Sequence, residues 1–335
     1  MDVIPVFRAA HLFPHLQYLR KLGAPVDRKL HQTKLPSTIE ENPHAYMPLL
    51  PALRFLTEIS LSEGIEDLAL RASEQLETDD LEQNLIADLN YAPSLHLALQ
   101  SLCHLVSLED TSVRYWFTPV QKDIRVYSSL NVPCNMKALR FSEWQQNMIV
   151  ISIVRAFAPP VWHPKEIGFQ SNIPINQYDS ERFPNTRLLI GQKAAWVTLP
   201  RSMLSLQPII RHKLNRFATT PKPAIENDVN FPASLKGILQ AYFEDGYPDI
   251  HLASEIAGIS VRSLQRKLKL FNISYSELVH HAQFERAVEL LKDPSIRTLD
   301  VAYAVGYKDP SNFARAFRRI AGVSPKEYRA QRELF

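Results

Sequence analysis

The chain has 335 residues, a net charge of +3, 45% hydrophobic and 22% charged residues, and two cysteines, Cys103 and Cys134. That length is too great for one ordinary core and that composition too apolar for disorder, so two or three folded domains are expected. Two cysteines cannot form a disulfide framework or a zinc cluster, the longest apolar run, Met148–Val154, is too short for a membrane span, and Met1–Arg20 lacks a signal-peptide pattern.

The expected setting is therefore the cytoplasm, without a membrane partner. Charge placement adds a hint: residues 231–335 hold 15 Lys+Arg against 12 Asp+Glu, while residues 1–230 hold 23 of each. All the net positive charge lies in the C-terminal third, where a nucleic acid would favour it.

From Phe7 to Leu108 the pattern is mostly helical. Leu12, Leu16 and Leu19 share a stripe, as do Leu53, Leu56 and Ile59 after a break at Pro48/Pro51, and Leu95, Leu99 and Leu102 mark a third segment. The period then changes to two. Val113, Tyr115 and Phe117 alternate, a turn follows at Pro119–Asp123, and Ile124, Val126 and Ser128 alternate again, which predicts a hairpin. Tyr115-Trp116-Phe117 reads as hairpin core, with the wall of an effector pocket as the alternative.

Ser142 and Gln145 form a capping-box pattern that predicts a buried helix over 143–157, and strands are expected at 167–169 and 194–199. The first domain, 1–208, is thus expected to be α+β. It carries no glycine-rich phosphate loop, metal spacing or catalytic set, so no cofactor and no enzyme activity are expected. Arg211, Lys213, Arg216, Lys222 and three prolines suggest a linker over 209–230.

From Phe231 the punctuation is dense. Asp249 is placed to cap a short helix through Ala257, with Gly258 following as the left-handed turn residue, and Ser260 to cap a second one, Val261–Phe271. Val261, Leu264 and Leu268 form its inner stripe; Arg262, Gln265, Arg266 and Lys269 lie opposite. Helix, glycine turn and basic helix is the helix-turn-helix plan, whose second helix enters a major groove.

A second copy follows: Thr298 as cap, Gly306 as turn, then Asp309-Pro310 opening a helix. Phe313, Phe317 and Ile320 are expected inside, leaving Ser311, Asn312, Arg315, Arg318 and Arg319 for DNA. Ser274-Tyr-Ser-Glu277 predicts a connecting helix to about Leu291, and Ser324-Pro-Lys-Glu327 caps a last one. The expected DNA-binding domain is 231–335, all-α, with units at about 249–271 and 298–320. His280-His281 resembles a metal pair, but adjacent helical residues point apart, so no metal is expected.

The runs Arg286-Ala-Val-Glu-Leu-Leu, Thr298-Leu-Asp-Val-Ala-Tyr-Ala-Val-Gly-Tyr, Ser311-Asn-Phe-Ala-Arg-Ala-Phe-Arg-Arg and Gly322-Val-Ser-Pro-Lys-Glu-Tyr-Arg resemble the AraC/XylS transcription regulators. The resemblance implies base or phosphate contacts for Arg262, Gln265 and Arg266, and for Pro310, Ser311, Asn312 and Arg315. Asn272 stands where the family usually has glycine, and Leu268 where it often has an aromatic. More weakly, Leu189-Ile-Gly-Gln-Lys-Ala-Ala-Trp-Val-Thr-Leu-Pro and Leu204-Ser-Leu-Gln-Pro resemble the subgroup that includes regulators of ornithine use.

That resemblance implies a first domain that senses a small molecule and often dimerises, and an activator that meets RNA polymerase. A ligand-independent regulator controlled by abundance or by a protein partner is the alternative. A third class, an enzyme with a DNA-binding tail, would rest on Cys134, which has only Cys103 for company.

Overall fold

The computed structural model describes residues 4–75, 92–209 and 230–332; the expected linker lies almost wholly outside them. In chain order its elements are β1 (Val6–Arg8), α1 (Phe13–Lys21), α2 (Val26–Gln32), β2 (Tyr46–Pro48), α3 (Leu49–Glu63), α4 (Leu68–Ser73) and α5 (Leu95–Leu105). There follow β3 (Val113–Val120), β4 (Asp123–Leu130), α6 (Met136–Phe157), β5 (Glu166–Gly168), α7 (Gln177–Arg182), β6 (Arg187–Leu189) and β7 (Ala195–Pro200). The remaining helices are α8 (Phe231–Gln240), α9 (Ile250–Ile256), α10 (Val261–Lys269), α11 (Tyr275–Leu290), α12 (Thr298–Ala304), α13 (Pro310–Ala321) and α14 (Pro325–Arg332).

These elements form two compact units. One takes Pro5–Lys29 and the chain from Leu49 to residue 209; the other takes Leu30–Pro48 and the chain from residue 230 on. The first is a mixed α/β unit. Its five-stranded sheet has the order β3-β4-β7-β5-β6, with β5 and β6 parallel and the other pairs antiparallel. The expected hairpin is β3–β4, its turn tightened by Gln121 at φ 54°.

Helix α6 starts seven residues before the expected one. Asn135, not Ser142, is the cap: its side chain accepts from the Ala138 amide, and Ser142 sits inside the helix accepting from the Gln146 side chain. A serine with a glutamine three residues on looks like a cap locally, but the extended backbone at Asn135 (ψ 164°) is where the helix begins. Trp144 packs on Phe169 and Phe183, and buried Glu143 accepts from the amides of Gln170 and Ser171. Gly168 is required because a Cβ there would lie 2.3 Å from the Trp196 ring. Tyr115 is buried, whereas Trp116 is 39% exposed and stacks on Tyr127. The aromatic run is core at its first residue and surface at its second.

The second unit is helical apart from β2. Leu30–Pro48 runs along it as a strap: the Tyr242 hydroxyl donates to the Lys34 carbonyl at 2.8 Å, and the Ser37 amide donates to Asp245 at 3.1 Å. The residues that hold the strap, Tyr242 and Asp245, lie in the turn Tyr242–Gly246 that leads into α9. The main chain of that turn also packs near Gly306, whose φ of 82° disfavours a side chain and where a Cβ would lie a tight 3.1 Å from the Phe243 carbonyl oxygen.

Candidate nucleic-acid interface

Each expected turn forms from local chemistry. The Asp249 side chain accepts from the Leu252 amide to open α9, Gly258 turns at φ 64°, and the Ser260 side chain accepts from the Ser263 amide to open α10. Leu264 and Leu268 are buried; Val261 is only half-buried, so the inner stripe is narrower than expected. Asn272 takes the left-handed conformation, φ 53°, that its family counterpart glycine would take without strain.

Arg262, Gln265, Arg266 and Lys269 are all exposed on α10, and none bonds or pairs with another described side chain. Lys267 is different. Its ammonium lies 5.2 Å from the centre of the Phe231 ring, turned toward α8. The outward face thus keeps three cations and one amide, with no acid opposing them.

In the second unit Thr298 is the first helical residue of α12, not its cap. Arg297 holds the cap position without a capping bond, and its guanidinium forks onto Asp300 at 2.8 and 2.9 Å. The fork takes over the role of a cap by tying the first turn to its flank. Asp309 caps α13 by accepting from the Ser311 amide, with Pro310 at the first helical position. Phe313 and Phe317 are buried, but Ile320 is 39% exposed, so the inner stripe of α13 stops short of the expected third residue.

Ser311, Asn312, Arg315, Arg318 and Arg319 are exposed. Arg315 donates to the Asn312 side chain at 2.5 Å, and Arg318 reaches Glu327 at 3.5 Å. Arg319 sits near His280 on the connecting helix; burial, then the Arg319 charge, lowers the His280 pKa. These arrangements grade the second unit's cations. Arg319 bonds to no described side chain, and Arg318 is partly neutralised.

Helix α11 contacts both units: the Tyr275 hydroxyl at its start donates to the Pro248 carbonyl at 2.6 Å, beside the cap of α9, and its later turns meet the second unit. Ser274 and Glu277 make the full capping box at its start, the Gln283 side chain donates to the Val305 carbonyl at 2.8 Å, and Phe284 meets Phe317 at 4.9 Å between ring centres. Around them Ala287, Leu291, Val301, Ala302, Val305, Phe313 and Phe317 form one core.

Burial pushes the Cys103 thiol up to about 11 and the Cys134 thiol upward too, the opposite of what a nucleophile needs. Among the described residues no three His, Cys, Asp or Glu side chains group to hold a metal, and no helix is long and apolar enough to cross a membrane.

Residues 253–331 match the family model described as a helix-turn-helix domain. The chain is 30% identical over 134 residues to the HTH-type transcriptional regulator VqsM of Pseudomonas aeruginosa, covering 35% of this chain and 41% of that one. It is 31% identical over 83 residues to the Ornithine utilization regulator of the same organism, covering 25% of this chain and 24% of that one. The matches thus span less than half of either relative. The crystal structure of the Pseudomonas aeruginosa transcriptional regulator CdpR aligns with 91% of this chain and 96% of its own, at 19% identity and a TM-score of 0.37.

Proposed function

We propose that the chain, whose residues 253–331 match the helix-turn-helix family model, is an AraC-type, sequence-specific regulator of transcription reading two adjacent major grooves. The observation that carries this reading is the repeated face. Two recognition helices, α10 and α13, each bury an apolar stripe and present arginines with an amide-bearing side chain, Gln265 or Asn312, outward. Arginine and amide side chains are the groups that pair bidentately with guanine and adenine edges.

Arg262, Gln265 and Arg266 are assigned to bases and nearby phosphates, Lys269 to phosphate. In the second unit Ser311, Asn312 and Arg315 are assigned to bases, with Arg318 and Arg319 to the backbone. We further propose that the α/β unit senses a small molecule, that the regulator activates by contact with RNA polymerase, and that it forms a homodimer. Support for sensing comes from a largely apolar cavity with a few buried polar groups in that unit, described below.

Selection of bound fragments from random DNA tests the first part. The expected product is two directly repeated boxes about ten base pairs apart; a single box or no consensus overturns the two-groove reading. Adding fractionated metabolites to the bound complex tests sensing. A compound that changes operator affinity at least about tenfold supports it, and no change from any fraction leaves regulation by abundance or a protein partner.

A further inference from the structure

The α/β unit holds a partly open cavity of about 50 Å³. Leu12, Leu53, Leu56, Leu102 and Phe141 supply much of its wall, which comes from elements distant in sequence. A wholly apolar void of this size stays dry, since water needs polar partners. This wall is not wholly apolar. His15 stands on it, 1% exposed, and neither of its ring nitrogens has a hydrogen-bond partner.

The contrast with His11, one turn earlier, is sharp. His11 has its Nε2 2.7 Å from the Glu109 carboxylate and its Nδ1 3.1 Å from the Gln145 side-chain amide, so both nitrogens are engaged. Burial, opposed by the neighbouring His11 carbonyl, lowers the pKa of His15 to about 4. At neutral pH its ring is uncharged, with one N–H to give and one lone pair to share. Buried polar groups are nearly always satisfied, and a group left open toward a cavity marks what the cavity takes in.

Charge narrows the class of occupant. No lysine or arginine lines the cavity, while Glu109 and Asp110 both do. An anion entering here would lose its water and meet no counter-charge. A cation fares little better. Glu109 is already held by His11, and Asp110, whose pKa burial raises to about 6, accepts from the Ser112 amide at 2.7 Å. An uncharged group loses least on entry and matches the neutral imidazole. Tyr115, whose hydroxyl donates to the Gln146 carbonyl, closes the wall on the sheet side.

We propose that this cavity is a ligand site for a short uncharged molecule, a small alcohol or amide, whose hydroxyl or carboxamide completes the hydrogen bonding of His15 while its carbon chain packs on the leucines. The proposal rests on the sensing role proposed above and gives it a place and a ligand class. With about 50 Å³ to fill, an occupant of about four non-hydrogen atoms binds no tighter than on the order of tens of micromolar.

The test uses the full chain with isotope-labelled histidine, titrated separately with ethanol, acetamide, acetate and ethylammonium while the ring signals are followed. His15 is recognisable as the imidazole that stays neutral down to about pH 4. Expected are saturable shifts of its signals with ethanol or acetamide, at least tenfold weaker with acetate and ethylammonium. His15→Phe keeps the volume and should lose the alcohol and amide response; Ala52→Leu, which fills the cavity, should lose it independently.

Equal response to a charged probe overturns the ligand class. No saturable shift with any probe means the cavity holds water only and overturns the site. A metabolite that alters operator affinity without moving the His15 signals leaves sensing in place but puts it elsewhere. Saturable binding that leaves operator affinity unchanged keeps the site and removes the sensing role.

Discussion

Gln265 is the side chain at which reading a sequence separates most cleanly from attracting a polyanion. It is uncharged, exposed and unbonded on α10, between Arg262 and Lys269. Gln265→Ala should therefore cost ~1–3 kcal/mol on the selected site and almost nothing on random DNA, with the salt slope unchanged. Arg319→Ala should weaken both alike and flatten the slope by about one. Fluorescence anisotropy at several salt concentrations measures both; equal losses on the two DNAs for Gln265→Ala remove it from the reading set. His15 permits a second test at this scale. Its folded pKa, about 4, lies below the unfolded value of about 6.5, so the unfolded chain binds the extra proton between those limits. The group costs nothing above pH 6.5 and destabilises progressively as pH falls toward 4. Comparing pH 7 with pH 4.5, His15→Phe should therefore spare the protein about 2–3 kcal/mol of acid destabilisation. Asp110 and Asp179, both raised to about 6 by burial, act in the opposite sense and remain in the variant. The difference between the two denaturation profiles isolates the histidine.

Among the helices, α11 decides whether two units act as one reader. Its 16 residues span ~24 Å, its capping box fixes its start, and the Gln283–Val305 bond and the Phe284–Phe317 contact tie it to the second unit. The proposed reading requires the two recognition helices, held this way, to enter successive major grooves on one side of the duplex. A five-base-pair insertion between the boxes turns the second one away by half a turn. Bending short DNA to compensate costs several kcal/mol, so affinity should fall at least ~10-fold, and a ten-pair insertion should restore part of it only if the protein can stretch. Footprints on the two spacings check this; undiminished affinity means that α13 does not read DNA. Most of these elements were legible because their signals are local. Asp249, Ser260, Ser274 and Asp309 each sit two or three residues before the amide they cap. Where the local pattern misled, another local group had taken the role, as Asn135 does before α6 and the Arg297–Asp300 fork does at α12.

At the level of the whole chain, the sequence offered no sign that Leu30–Pro48 belongs with residues more than two hundred positions away. The pairing of Tyr242 with Lys34 spans 208 residues and involves a main-chain carbonyl, which no composition or period can reveal. The cavity was hidden for the same reason: its wall joins His15, Leu53, Leu102 and Phe141, each an ordinary buried position within its own element. We expect a fragment of residues 225–335 to fold, since its caps and its Phe313–Phe317 core are internal to it. Without the strap it should lose about 1 kcal/mol or more, which lowers the melting temperature by roughly 4–8 °C for a domain of this size. Supplying residues 30–48 as a peptide should recover part of the shift. A fragment as stable as the domain in the whole chain shows the strap to be a bystander.

The strap also sets a schedule for biosynthesis. Residues 34 and 37 leave the ribosome some two hundred residues before Tyr242 and Asp245, the groups that bind them. At ~5–20 residues per second that is a wait of roughly 10–40 s. During it the strap has been made and its docking surface has not, so the DNA-binding unit is completed only after nearly all of the chain has emerged. The strap is therefore docked only after the α/β unit has already had time to fold.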